Sequence, residues 1–206
     1  MKNKENEYYS PIPMVMLFTM ITGIVFEAVF FILFKAFEQN WMRFCALMSG
    51  VIAYHMFIRF LSPVILAAIF HKQYDNESWW FQERKWESEL YRFLNVKNWK
   101  VKALTYDPSE FSLKKHSLEE ITNNMCHAEL VHELIALLSF TSLFFAVFFE
   151  AAWILLIIAI LGALFDLSFV VLQRYNRPRV VRLITQKEIH RGLSVCTTIA
   201  NKKKKT

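Results

Sequence analysis

Met125-Cys126-His127-Ala128-Glu129-Leu130-Val131-His132-Glu133 runs without a break into an apolar stretch, Leu134 to Leu172, whose only charges are Glu150 and Asp166. As one helix, those 39 residues would reach about 58 Å, nearly two hydrocarbon thicknesses. The stretch therefore divides into two spans, at about 132–149 and 151–172, with a tight turn around Phe148-Phe149-Glu150. The polar half of the quoted segment has another signature. Ser117 followed three residues later by Glu120 predicts a capping box. A helix begun there puts Cys126, Glu129 and His132 at i, i+3 spacing on one face.

Two further apolar runs precede this region, at about 12–37 and 41–70. The first is too long, and too poor in small residues, to read as a cleaved signal peptide, so we expect it to be a retained span. The second carries Arg43, His55, Arg59 and Pro63. A mid-membrane Arg must face protein or water, and Glu27 lies at a comparable depth in the first run. A Glu27–Arg59 pair is the expected contact, serving either to hold two spans together or to meet a substrate headgroup. The composition agrees with a membrane protein: of 206 residues 55% are hydrophobic, with 20 Phe and 6 Trp. The fold class expected is all-α and polytopic, one membrane domain of four transmembrane helices. Cys45, Cys126 and Cys196 have no paired spacing, which excludes a disulfide framework and a zinc-finger pattern.

Charge sets the orientation. Lys and Arg number two in residues 1–11, nine in 71–131 and ten in 174–206. Four spans put all three basic segments on one side, which the positive-inside rule makes cytoplasmic. The expectation is a multi-pass protein of the cell membrane with both termini cytoplasmic. The basic residues flank spans, so membrane lipids are the expected partners and nucleic acid is not. A homo-oligomer is left open. The segment 71–131 is rich in Trp, and Trp79 to Arg92 reads as an interfacial helix with apolar Trp79, Trp86, Leu90 and Phe93 near helical spacing. In the basic segment 173–206, Arg177-Pro178-Arg179 reads as a cationic elbow and Lys202 to Lys205 as a solvated tail.

Three segments, in this order, resemble the glycosyl-4,4'-diaponeurosporenoate acyltransferase family. They are Phe81-Gln82-Glu83-Arg84-Lys85-Trp86-Glu87-Ser88-Glu89-Leu90-Tyr91 with Val96-Lys97-Asn98-Trp99-Lys100; Ala128-Glu129-Leu130-Val131-His132; and Val171-Leu172-Gln173-Arg174-Tyr175-Asn176-Arg177-Pro178-Arg179. The resemblance covers roughly residues 79–185, and its last segment is the most specific. The chain departs from the family at Asn124-Met125, where Glu-Thr is common, and at His127, where a basic residue is common. The family is named for the acylation of a glucose hydroxyl on a glycosylated carotenoid, the last step of staphyloxanthin synthesis. The resemblance implies a membrane acyltransferase of carotenoid biosynthesis that moves a fatty acyl group from an acyl donor to a hydroxyl of a lipid-linked or glycosylated acceptor.

Such a reaction needs a base, an oxyanion stabiliser and a lipid channel. His132 is the candidate base, because imidazole titrates near neutral pH, and Glu129 the candidate orienting carboxylate. Arg174, Arg177 and Arg179, with Arg84 and Lys100, suit the phosphates of an acyl-thioester co-substrate. Tyr175, Asn176, Trp99, Glu83 and Arg59 complete the candidate substrate site. No resident cofactor is expected. An alternative is a divalent metal on Glu-x-x-His, with Glu83, Glu87, Glu129, His132 and Cys126 as ligands. A second alternative is a non-enzymatic protein that binds or moves an anionic lipid through Glu27, His55, Arg59 and the arginines.

Overall fold

Helix α1 spans Ile12–Phe37 and α2 spans Asn40–Phe70, joined by a two-residue turn whose Glu38 adopts the left-handed conformation (φ 51°). In this computed structural model, which describes residues 10–100, 106–148 and 152–203, the polar segment that follows contains two short helices. These are α3, Glu87–Phe93, and α4, Val96–Trp99. Helix α5 covers Leu118–Ser139 and runs into a 3-10 segment, Phe140–Phe148. Helix α6 extends from Ala152 to Lys203. The protein is all-helical, and four of its helices are long and apolar enough to cross a membrane.

Each long helix forms for a legible reason. Pro11 and Pro13 bracket Ile12, the first residue of α1, where a missing N–H costs nothing. At α5 the expected capping box is present: Ser117 Oγ accepts from the Glu120 backbone N–H at 3.1 Å, and the Glu120 carboxylate accepts from the Ser117 N–H at 2.8 Å. Helices α2, α5 and α6 pack together around Ile58, Leu66, Val131 and Ile135, and around Leu47, Val51 and Leu155. Helix α1 lies against α2 and turns most of its Phe-rich surface outward, as suits a helix solvated by lipid.

The helix that carries the third apolar run begins at Leu118, where the capping box starts it well before the chain becomes apolar. Two expectations change. The elbow expected at Arg177-Pro178-Arg179 is instead continuous helix, since α6 runs past Leu172 and through Pro178. The carbonyl of Tyr175, beside the proline-weakened ladder, accepts from the Arg179 guanidinium at 3.0 Å. Helix over Trp79 to Arg92 is confined to α3, and the carbonyls of Trp80, Phe81 and Gln82 are instead acceptors for α6 arginines. The turn expected at Phe148-Phe149-Glu150 falls mostly on residues outside those described, as does the end of the Lys202 to Lys205 tail.

Gly23 marks a close approach of α1 to the backbone of α2. A Cβ there would meet the Ser49 carbonyl oxygen at 3.0 Å and Ala53 Cβ at 3.1 Å, both fixed atoms of α2. At Gly50 an added Cβ would meet the carboxylate of Glu27, at 2.9 Å, the far end of a side chain that can swing away. Gly23→Val is therefore expected to cost about 1–3 kcal/mol by overpacking, and Gly50→Ala to cost less. Thermal unfolding of the purified protein in detergent measures both.

Candidate active site

Helices α5 and α6 are tied together by an ionic layer. Glu129 of α5 is fully buried. One of its oxygens accepts from Arg174 Nη1 at 2.6 Å and the other from Arg177 Nη1. Arg174 also grips Glu87, the first residue of α3, through Nε at 3.0 Å and Nη2 at 2.5 Å. Its remaining donors go to the carbonyls of Trp80 at 2.9 Å and Gln82 at 3.0 Å. Every guanidinium N–H group of Arg174 is thus used by the protein. Arg177 donates to the Phe81 carbonyl, lies 4.9 Å over the Phe81 ring and touches Cys126 Sγ at 3.9 Å. Tyr91 donates to Glu87 at 2.6 Å. Burial, then that bond to Glu87, pushes the Tyr91 phenol above its ordinary value, so it stays a neutral donor.

The Asn76–Gln82 strip lies over this layer as a lid of backbone. Cys126 Sγ is 2.9 Å from Asn76 Oδ1, Tyr74 Oη pairs with His127 Nδ1 at 2.6 Å, and Trp80 Nε1 donates to Glu133 at 3.1 Å. Burial, with the neighbouring Cys126, pushes the Tyr74 phenol up as well.

A second polar group lies two turns up α6, about 12 Å deeper along its axis. Asp166, fully buried, accepts from Arg59 Nη1 at 2.7 Å on both oxygens and from His132 Nδ1 at 3.0 Å. This corrects the Glu27–Arg59 expectation: Arg59 faces α6, while Glu27 faces Gly50. It also corrects the Glu129–His132 pairing. The two side chains share the α6-facing side of α5, but one turn of offset gives them different partners. An Asp held by Arg59 is an acceptor, so the hydrogen of neutral His132 sits on Nδ1 and the lone pair on Nε2. Phe169 stacks on the imidazole at 4.7 Å and fixes its plane. A quarter of the His132 side chain is exposed, against none of Asp166. On α2, His55 is buried with no hydrogen-bond partner for Nε2, packed where Gly162 of α6 leaves room for its ring.

The third polar region lies on the opposite side of α6. A cavity of about 440 Å³ opens between α6 and the α3–α4 segment, lined by Tyr91, Arg92, Lys97, Tyr175, Arg179 and Arg182 among others, with Glu83 its one acid. Arg179 covers the Tyr175 ring at 3.7 Å and Lys100 lies 5.1 Å from it.

The family described as glycosyl-4,4'-diaponeurosporenoate acyltransferase matches residues 77–186, more than half of the chain. The chain belongs to this family. It is thus a membrane protein of an acyltransferase family tied to carotenoid biosynthesis. The matched range contains these polar regions except Arg59, His55, Tyr74 and Asn76. No curated protein and no solved structure shows a match to the chain.

The sequence-predicted residues fall into separate groups. Glu129, Arg174, Arg177, Glu87 and Cys126 form the ionic layer; His132 and Arg59 meet at Asp166; Tyr175, Arg179, Lys100 and Glu83 border the cavity. Arg84 lies over Trp79, Trp99 donates to the Leu94 carbonyl, and Asn176 is half-buried on α6. Among the described residues no three His, Cys, Asp or Glu side chains gather as a metal site. Glu87 and Glu129, expected as ligands in the metal alternative, are bound to arginines instead. Asp166 is the residue missed as a site residue, and its signal was available: a lone acid in an apolar span needs a partner.

Removing one member of the ionic layer strands a buried opposite charge, which costs about 3–5 kcal/mol. Arg174→Lys is expected to behave almost as badly as Arg174→Ala, since an ammonium cannot reach all the acceptors arranged around a planar fork. Thermal unfolding in detergent, with Arg84→Lys as the neutral reference, measures the difference.

Proposed function

We propose that this protein transfers a fatty acyl group from a thioester to a hydroxyl of a lipid-linked or glycosylated acceptor, with His132 as general base. The observation that carries the reading is the Arg59–Asp166–His132 chain. Asp166 orients the imidazole and stabilises its protonated form, as a carboxylate does for a base that must gain and lose a proton in each cycle. Arg59, bonded to both of its oxygens, holds that carboxylate in place.

The chemistry balances simply. His132 Nε2 takes the proton from the acceptor hydroxyl as its oxygen attacks the thioester carbonyl. The new C–O ester bond forms, the C–S bond breaks, and the imidazolium returns the proton to the departing thiolate. Glu129 has a positioning role: by fixing Arg174 and Arg177 it holds α5 and α6 in the register that brings His132 to Asp166. The acyl chain and the acceptor's lipid tail would lie among the apolar helices. The excess of Lys and Arg in the segments between and after the spans supports a reaction at the inner leaflet of the cell membrane, with both termini cytoplasmic.

His132→Asn keeps an amide near the Nδ1 position, so the Asp166 contact survives while the base is lost. In membranes supplied with a labelled acyl thioester and a glycosylated carotenoid, product formation is expected to fall about 10²–10⁴-fold with thermal stability little changed. Undiminished turnover in that folded variant would refute the assignment of the base. Acceptor binding with no product from the wild-type protein would favour the lipid-binding alternative.

A further inference from the structure

Of the arginines that look best suited to an anionic substrate, Arg174 has every guanidinium N–H taken by Glu87, Glu129 and the Trp80 and Gln82 carbonyls, and Arg177 is buried against Glu129 and the Phe81 carbonyl. The cations not spent in this way lie on the other stripe of α6 and across from it. Arg179 and Arg182 face Arg92 and Lys97 over the cavity, against the single carboxylate of Glu83. Glu83 stands 3.9 Å from Arg182, whose side chain is 74% exposed, so this one long, solvent-screened contact neutralises little of the charge. Tyr175 forms an aromatic floor braced edge-on by Tyr91 at 5.3 Å. A concave site where four cations meet one acid, with forked donors among them, is built for phosphate esters.

Position adds a second constraint. Asp166 and Arg179 are 13 residues apart on one continuous helix, about 20 Å along its axis. A ligand anchored by phosphate in the cavity needs a long flexible arm to present a carbonyl near His132. Pantetheine thioesters have such an arm, whereas the acyl esters of a phospholipid lie only a few bonds from its phosphate.

We infer that the Arg92–Lys97–Arg179–Arg182 cavity binds the phosphate group of the acyl donor, while the acyl carbonyl is delivered separately to His132. The inference rests on the acyl-transfer reading for the identity of the ligand. Its test is a binding measurement, so the two can fail independently.

The probes are coenzyme A titrated into the detergent-purified protein, and anionic phosphatidylglycerol against zwitterionic phosphatidylcholine in nanodiscs carrying the protein. Arg179→Gln with Lys97→Gln is expected to weaken whichever probe binds at least tenfold. Glu83→Gln, which removes the opposing charge, is expected to tighten it severalfold, an effect that damage to the fold does not mimic. His132→Asn should bind as the wild type does while losing turnover. Coenzyme A alone responding identifies a soluble thioester donor, and phosphatidylglycerol alone responding makes the cavity a headgroup site and overturns its assignment to the acyl donor. The inference is overturned if neither probe binds, if the Gln substitutions leave affinity unchanged, or if phosphate-free pantetheine competes as well as coenzyme A.

Discussion

Glu129 accepts from two arginines at once, and neither arginine stops there. Through Arg174 it is joined to Glu87 at the start of α3, and through both arginines to the carbonyls of three consecutive residues, Trp80 to Gln82. A carboxylate taken wholly out of water is tolerable only when its charge and lone pairs are met. Here meeting them fixes three things together: the register of α5 on α6, the path of the polar segment over their junction, and the orientation of α3. The layer therefore acts as the joint between the membrane helices and the surface segment. Both neighbouring polar regions are placed relative to it.

The two regions flanking this joint have different characters. On the deeper side, charge is balanced: Arg59 and Asp166 pair, and His132 adds a third member through Nδ1. On the outer side, charge is unbalanced, with arginines and a lysine facing one acid. A balanced pair in a low-dielectric environment holds a base in a fixed tautomer without adding net field. An unbalanced cluster near solvent attracts anions and orients them. On the proposed reading, proton transfer lies where α5 meets α6 and anion recognition lies where α6 meets the α3–α4 segment.

The sequence carries much of this, and its silences have physical causes. Apolar run length reveals four spans because lipid allows little else. Ser117 and Glu120 reveal a helix start because capping is local. Spacing along α5 shows that Glu129 and His132 point the same way, yet it cannot say what lies opposite. Arg174, Arg177 and Asp166 come from a helix more than thirty residues away. The arginines are the clearest case. As residue types they suit phosphate, and only the folded arrangement shows Glu87 and the Trp80 and Gln82 carbonyls already occupying Arg174. Pro178 misleads for a related reason, since a helix held by such contacts passes through a proline that would end an unsupported one.

The Arg59–Asp166 pair joins residues 107 positions apart in the chain. During synthesis, therefore, the guanidinium reaches the bilayer long before its counter-ion exists. In the complete fold the Glu27 carboxylate of α1 sits against Gly50 and leaves that partnership to α6. Completion of α6 supplies the missing carboxylate. A chain truncated before Asp166 would lack the partner that Arg59 has in the complete fold.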